Sequence, residues 1–435
     1  MSKLAVNGGY PIRTAKFPHY KVINNEELES VSQIIRTGIL SKFLGSWQED
    51  FYGGPKIREL ESYWSSYFGS KHAIAVNSCT SGLYCAIGAA GIGPGDEVVV
   101  SPYTMSASAT SIIIFNGVPV FADIENDYFC LDPQDIENKI TPRAKAIVVV
   151  DIFGLPYNAD IINEIAEKHN LIVIEDCAQA PGAKYQNKYA GTLGDIGVYS
   201  LNYHKHIHSG EGGIVVTDND EYAEKIRLIR NHAEAVVENK GAKNLVNMIG
   251  FNFRMTEIEA AISIEQLKKL SDLNNIRINN IMYLENKLKD IPFLALPKIR
   301  KNASHVYYFH AIKFDEKIAG VHRNKYIEAV KAELPLTELR ESEGVNIGCG
   351  YVKPLYLQPI YQEQVAYGSK GCPFKCPLYE GEPNYKAGIC PTTEEMHNDL
   401  LITHELFRPG FKQSDLDDVA DAFHKVWENI TELKE

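Results

Sequence analysis

From about residue 56 the chain alternates between two hydrophobic rhythms. Residues 57–67 place apolar side chains at helical spacing, and 73–77 form a short continuous apolar run. Residues 81–90 read as a helix, and 97–101 as a strand after the turn Gly93-Pro94-Gly95-Asp96. A helix, a strand at 119–122, a helix, a strand at 146–152 and another helix follow. Three more strands end at Glu175, Ser200 and Thr217. Strands of unbroken Val/Ile character between helical stretches predict an α/β fold with a mostly parallel sheet covered on both faces. From about residue 290 the rhythm changes to a smaller α+β unit, ending in an amphipathic helix over 415–433 with Ser414 as N-cap. Segments 235–245 and 338–390, rich in Gly, Lys, Pro and Glu, read as loops. The expected organisation is an N-terminal segment (1–24), a large domain (25–288) and a small C-terminal domain (289–435) with an insertion near 360–390.

A chain of 435 residues, 45% hydrophobic, can bury a full core. The net charge of −12 argues against a nucleic-acid binder, because nothing here neutralises phosphates in bulk. No apolar run approaches the roughly 20 residues of a bilayer span. The start, Met1-Ser2-Lys3-Leu4-Ala5, lacks the apolar core of a signal peptide. A soluble, cytoplasmic protein is the expectation. The eight cysteines are scattered and suggest no disulfide framework. Cys372, Cys376 and Cys390 share one segment, which allows a zinc reading. A clear fourth ligand and paired spacing are missing, which favours a Gly/Pro-rich surface insertion with free thiols, and no metal is expected.

In open α/β sheets ligands sit at the carboxyl ends of the strands. Ser78 and Thr80 follow one strand, Asp176 ends another and Ser200 a third. Asn77-Ser78-Cys79-Thr80-Ser81-Gly82 joins a strand to a helix, so it offers backbone N–H groups and hydroxyls either to a phosphate or to plain N-capping. Asp176, in Ile174-Glu175-Asp176-Cys177-Ala178-Gln179, and the downstream Lys205 are the two groups that pyridoxal phosphate needs. A lysine forms its imine link, and a carboxylate keeps its pyridine nitrogen protonated. Asp176 also reads as a strand-end cap, with Glu175 beside it. Gln179, one helical turn on, reads as a site residue or a surface amide. His204, His206 and His208 surround Lys205 at alternate positions, so a metal site stays open as a minority reading.

Taken together, these stretches resemble the DegT/StrS-type aminotransferases, pyridoxal-phosphate enzymes of fold type I. The motifs are 77–83, Gly93-Pro94-Gly95-Asp96-Glu97-Val98, 174–183, 191–199, 200–213 and Gly250-Phe251-Asn252-Phe253-Arg254-Met255. The resemblance implies that Thr80, Ser81 and Ser200 bind the cofactor phosphate. It implies that Asp176 pairs with the pyridine nitrogen, Gln179 meets the ring hydroxyl and Lys205 carries the cofactor. Asn252 would reach the neighbouring subunit's phosphate, which implies a homodimer with shared active sites. Glu211 and the following glycines would form the turn behind the lysine. Two positions depart from the family pattern. Met105 stands where an aromatic residue stacks on the ring, with Tyr103 as a substitute, and Cys79 replaces a glycine that a positive φ would require.

The family offers several activities. One is transfer of an amino group from glutamate or glutamine to a keto-sugar. The resemblance favours a nucleotide-linked sugar, with Arg230, Arg254 and Lys353 as candidate diphosphate ligands or as mere surface charges. An alternative acceptor is a keto-cyclitol of the scyllo-inosose type. A sugar dehydratase would replace the lysine by histidine, and counting from Ser200 keeps Lys205 in register. A regulatory relative would lack the lysine or carry a DNA-binding appendage.

Overall fold

The computed structural model describes residues 3–434. A central sheet is built from β1 (His72–Val76), β2 (Glu97–Val100), β3 (Val118–Phe121), β4 (Ala144–Val150) and β5 (Ile172–Asp176). A two-residue hairpin, β6 (Lys184–Tyr185) and β7 (Lys188–Tyr189), stands apart, and β8 (Ile196–Ser200) and β9 (Gly213–Thr217) complete the sheet. The strand order is β1-β9-β8-β5-β4-β2-β3. Pairs from β3 through β8 are parallel, whereas β9 runs antiparallel to both β8 and β1. Nearly every residue of these strands is buried, which explains their unbroken apolar character.

The sheet is wrapped by helices that include α1 (Asn25–Thr37), α2 (Pro55–Phe68) and α3 (Cys79–Ala89). The start of α3 lies directly on β9. A Cβ at Gly213 would come within 2.6 Å of the Cys79 nitrogen, so only glycine allows this approach. A second sheet, ordered β10 (Leu294–Ala295), β11 (His310–Phe314), β13 (Leu401–His404) and β12 (Ile347–Cys349), forms the small domain. The helix Glu257–Leu288 belongs to both domains: Ala260 and Leu267 pack in the large one, Leu284 and Leu288 in the small one.

Several expectations need correction. Residues 235–245 are not a loop, because Ala233–Lys240 is a helix closed by Gly241 in the left-handed conformation. The C-terminal helix is Gln413–Glu428 with Lys412 at the cap position, where the Asp415 carboxylate accepts from the Lys412 N–H; Ser414 lies inside it. Residues 3–17 are not a separate segment. Leu4 and Phe17 are fully buried in the small-domain core, and Arg13 bonds Asp415 and Asp418 at 2.6 and 2.9 Å.

The insertion also differs from the expected surface loop. It packs onto the large domain, with Tyr361, Tyr385 and Phe374 joining Phe121 in one core. Tyr385 donates to the Pro119 carbonyl at 2.8 Å and Tyr379 to Glu97 at 2.8 Å. The segment covers β3, the edge of the sheet, which would otherwise offer unpaired backbone groups. Cys390 is buried beneath it. Among the described residues no group of three or more His, Cys, Asp or Glu is arranged to hold a metal ion.

Candidate active site

The carboxyl ends of β1, β5 and β8 converge. At the first, Ser78 caps α3 and accepts from the Ser81 N–H at 3.0 Å. The Ser81 hydroxyl is buried and donates to Asn77 Oδ1 at 2.6 Å, so it already has a partner, while Thr80 is half-buried on the same turn. Cys79 has helical rather than positive φ, so the glycine of the family pattern is not needed here.

At the end of β5, Asp176 is buried and held on both oxygens. Ser108 donates to Oδ2 at 2.7 Å, and the Ala178 N–H donates to Oδ1 at 3.2 Å, with Cys79 Sγ 4.0 Å away. Ser108 is in turn 3.2 Å from Thr104. Burial pushes the Asp176 carboxyl up, and Ser108, Ala178 and the charge of Lys205 offset only part of that. A cation placed against it would favour the carboxylate further, which suits a protonated pyridine nitrogen. Glu175 plays a different part: it faces the other side and accepts N–H bonds from Gly191, Leu193 and Gly194 at 2.5, 3.0 and 3.3 Å.

Lys205 lies in a turn closed by Tyr203 N–H to Gly210 carbonyl and by Asn202 to Glu211 Oε1 at 3.0 Å. Its ammonium is 4.3 Å from the ring centroid of Tyr308. The neighbouring histidines diverge. His206 is fully buried against the Val306 carbonyl at 3.0 Å, His208 packs near Gln266, and His204 is half-buried. Ser200 is buried at the end of β8, and its hydroxyl accepts from the Asn202 N–H at 3.3 Å.

The remaining candidates are placed less simply. Gln179 is buried between the Phe153 N–H (2.8 Å) and the Tyr351 hydroxyl (3.0 Å), leaving one amide hydrogen free. Met105 is 61% exposed in the single chain. Tyr103 is no substitute for a stacking ring, because it is buried and accepts from the Tyr351 N–H at 2.7 Å. Asn252 has an exposed side chain, and its carbonyl lies 3.4 Å from the Asn77 amide. Arg230 is not available to a ligand: it is fully buried and paired with Glu61 at 2.7 Å. Arg254 is tied to Asn231 at 2.9 Å, and Lys353 is exposed. Sequence reasoning missed Ser108, Tyr308 and Tyr351. Only Ser108 carried a signal, four residues after Thr104 at the start of a helix.

The structure thus brings a helix start and a buried strand-end carboxylate, Asp176, to the same edge of the sheet as the turn that carries Lys205. The DegT/DnrJ/EryC1/StrS aminotransferase family matches residues 23–380, and the chain belongs to it. The spore coat polysaccharide biosynthesis protein SpsC of Bacillus subtilis is 35% identical over 353 residues, covering 80% of this chain and 85% of that protein. The L-glutamine:2-deoxy-scyllo-inosose aminotransferase of Streptomyces kanamyceticus is 30% identical over 439 residues, covering 98% and 97%. The X-ray structure of the aminotransferase from Psychrobacter cryohalolentis superimposes with a TM-score of 0.79 at 25% identity, covering 95% of this chain and all of that one. The protein is an aminotransferase, and its cofactor is pyridoxal phosphate. Among the described residues no helix is long and apolar enough to cross a membrane.

Proposed function

We propose that the enzyme moves an amino group from glutamate or glutamine to a keto-cyclitol. The observation that carries this reading is the extent of the similarity to the 2-deoxy-scyllo-inosose aminotransferase, which spans 98% of the chain and so includes the insertion over β3. The burial of Arg230 removes one of the three residues that favoured a diphosphate. A nucleotide-linked keto-sugar is the second reading, supported by the 35% identity to SpsC.

Bound pyridoxal phosphate supplies an electron sink. Lys205 holds it and moves the proton at the carbon that bears the transferred nitrogen. Asp176, fixed by Ser108 and Ala178, would pair with the pyridine nitrogen. The first turn of α3, with Thr80 and Ser81, and Ser200 on β8 would receive the phosphate. Gln179 offers its free amide hydrogen to the ring hydroxyl, and Met105 lies at the rim. Asn252 completes a second copy's site in a homodimer. In support, Leu40, Leu44, Leu245, Val246 and Ile249 are apolar and exposed on the single chain.

Purified enzyme supplied with glutamate or glutamine should form the corresponding 2-oxo acid when given a keto-cyclitol. Turnover with nucleotide-linked keto-sugars alone would replace the cyclitol reading by the second one. No 2-oxo acid with any ketone would contradict both.

A further inference from the structure

Residues 18–24 form a strap from the small domain to the large one. Phe17 ends the part held in the small domain. Its ring stacks on Phe411 at 5.1 Å, its N–H donates to the Leu336 carbonyl at 3.0 Å, and its carbonyl accepts from the Glu338 N–H at 3.0 Å. The far end is tied to the large domain. Gln266, fully buried on the long helix, donates to the Val22 carbonyl at 3.0 Å and to Glu27 on α1 at 2.8 Å. Lys269, on the same helix, bonds Glu27 at 2.6 Å. Between these anchors the strap meets the turn that carries Lys205.

Two bonds join strap and turn. The Tyr20 hydroxyl donates to the carbonyl of His206, the residue after Lys205. Gln266, which holds Val22, also accepts from the His208 N–H at 3.3 Å. The Tyr20 ring is fixed in its turn, with the guanidinium of Arg277 5.0 Å from its centroid and that of Arg408 at 5.7 Å. The lysine turn depends on such anchors. It is neither helix nor strand from 201 to 212, and Gly210 and Gly212 have φ of +89° and +148°. Its own bonds run from the Lys205 N–H to the Asn202 carbonyl at 2.9 Å and from the Ser209 N–H to the Leu201 carbonyl at 3.0 Å. Residues 206–208 are held from outside: the His206 ring by the Val306 carbonyl, the His206 carbonyl by Tyr20 and the His208 N–H by Gln266. A lysine side chain is a flexible four-carbon stem, so where its amine can work is set by where its backbone is fixed.

We propose that Tyr20 is a positioning residue for the transamination: its hydroxyl, bonded to the carbonyl that follows Lys205, fixes the lysine backbone and with it the approach of the amine to the cofactor. Its action passes through the backbone at His206. A tie that merely stabilised the fold would lower Tm and leave the lysine turn and its chemistry as they are. The inference rests on Lys205 being the cofactor lysine.

The test compares wild type with Tyr20→Phe, which keeps the ring and removes the hydroxyl. In the full-length chain stripped of cofactor, amide hydrogen exchange of a peptide spanning 203–209 should quicken about 10-fold, the scale of one lost hydrogen bond. A peptide from the long helix beyond residue 270 should exchange as in wild type. When pyridoxal phosphate is added, its covalent capture, followed by absorbance, should slow about 10-fold for the same reason. Affinity for pyridoxamine phosphate, which forms no link to a lysine, should be unchanged. Unchanged exchange of 203–209, or an unchanged capture rate, would overturn the proposal. Equal losses with both cofactor forms would overturn it too, because they mark a general loosening of the fold. Borohydride mapping of wild type is a separate readout: a wrong cofactor lysine moves the label, whereas an idle Tyr20 leaves the label on Lys205 and both rates at wild-type values.

Discussion

The Ser108 hydroxyl donates a 2.7 Å hydrogen bond to Asp176 Oδ2, tying the helix that follows β2 to the end of β5. Asp176 is buried, so the bond holds the carboxylate in place and favours its charged form. Hydrogen bonds to charged groups contribute about 1.5–3 kcal/mol. Ser108→Ala should therefore weaken cofactor binding about 10-fold. Titration of cofactor into the stripped enzyme measures this, and unchanged affinity would contradict the role.

Asp176→Asn keeps the shape and removes the charge. The variant should still bind cofactor and lose most of its turnover, because a neutral partner no longer keeps the pyridine nitrogen protonated. Steady-state rates beside a binding titration separate the two effects. Near-normal turnover would contradict the assignment.

Much of the candidate site was legible because it is local. Each of 77–82, 174–179 and 200–213 is one strand end with its following turn, and residue type plus spacing carries the chemistry. Tyr308 was not legible, since its approach to Lys205 depends on the strained turn at Tyr307 and on Phe153, which lie far apart in sequence. The insertion misled for a similar reason. Its Gly and Pro content reads as loop, whereas Tyr361, Phe374 and Tyr385 commit it to the large domain through long-range packing. At 235–245 the Gly and Lys content hid a helix whose glycine is merely its end.

The proposed homodimer, in which Asn252 would complete the partner's site, predicts a complementation result. Lys205→Ala and Asn252→Ala subunits, each inactive alone, should recover part of the activity after exchange, because each hybrid holds one intact site. No recovery, with exchange verified and Asn252→Ala shown to be impaired, would argue against a contribution of Asn252 across the interface.

Glu285, on the long helix, lies 3.2 Å from buried His310 on β11, and burial raises its carboxyl to about 7. Its folded value exceeds its unfolded one, so the folded chain holds the extra proton between about 4.5 and 7. Stability from this group is present below that window and is lost as pH rises through it. Glu285→Gln should flatten the fall in Tm between pH 5 and 8. Parallel Tm profiles for variant and wild type would contradict it.

The most direct measurement is to reduce the holoenzyme with borohydride and map the labelled peptide. The label should sit on Lys205, within the turn from Ser200 to Gly213. A label on Lys188 or Lys243 instead, or none on any lysine of a fully loaded enzyme, would contradict the active site described for this protein.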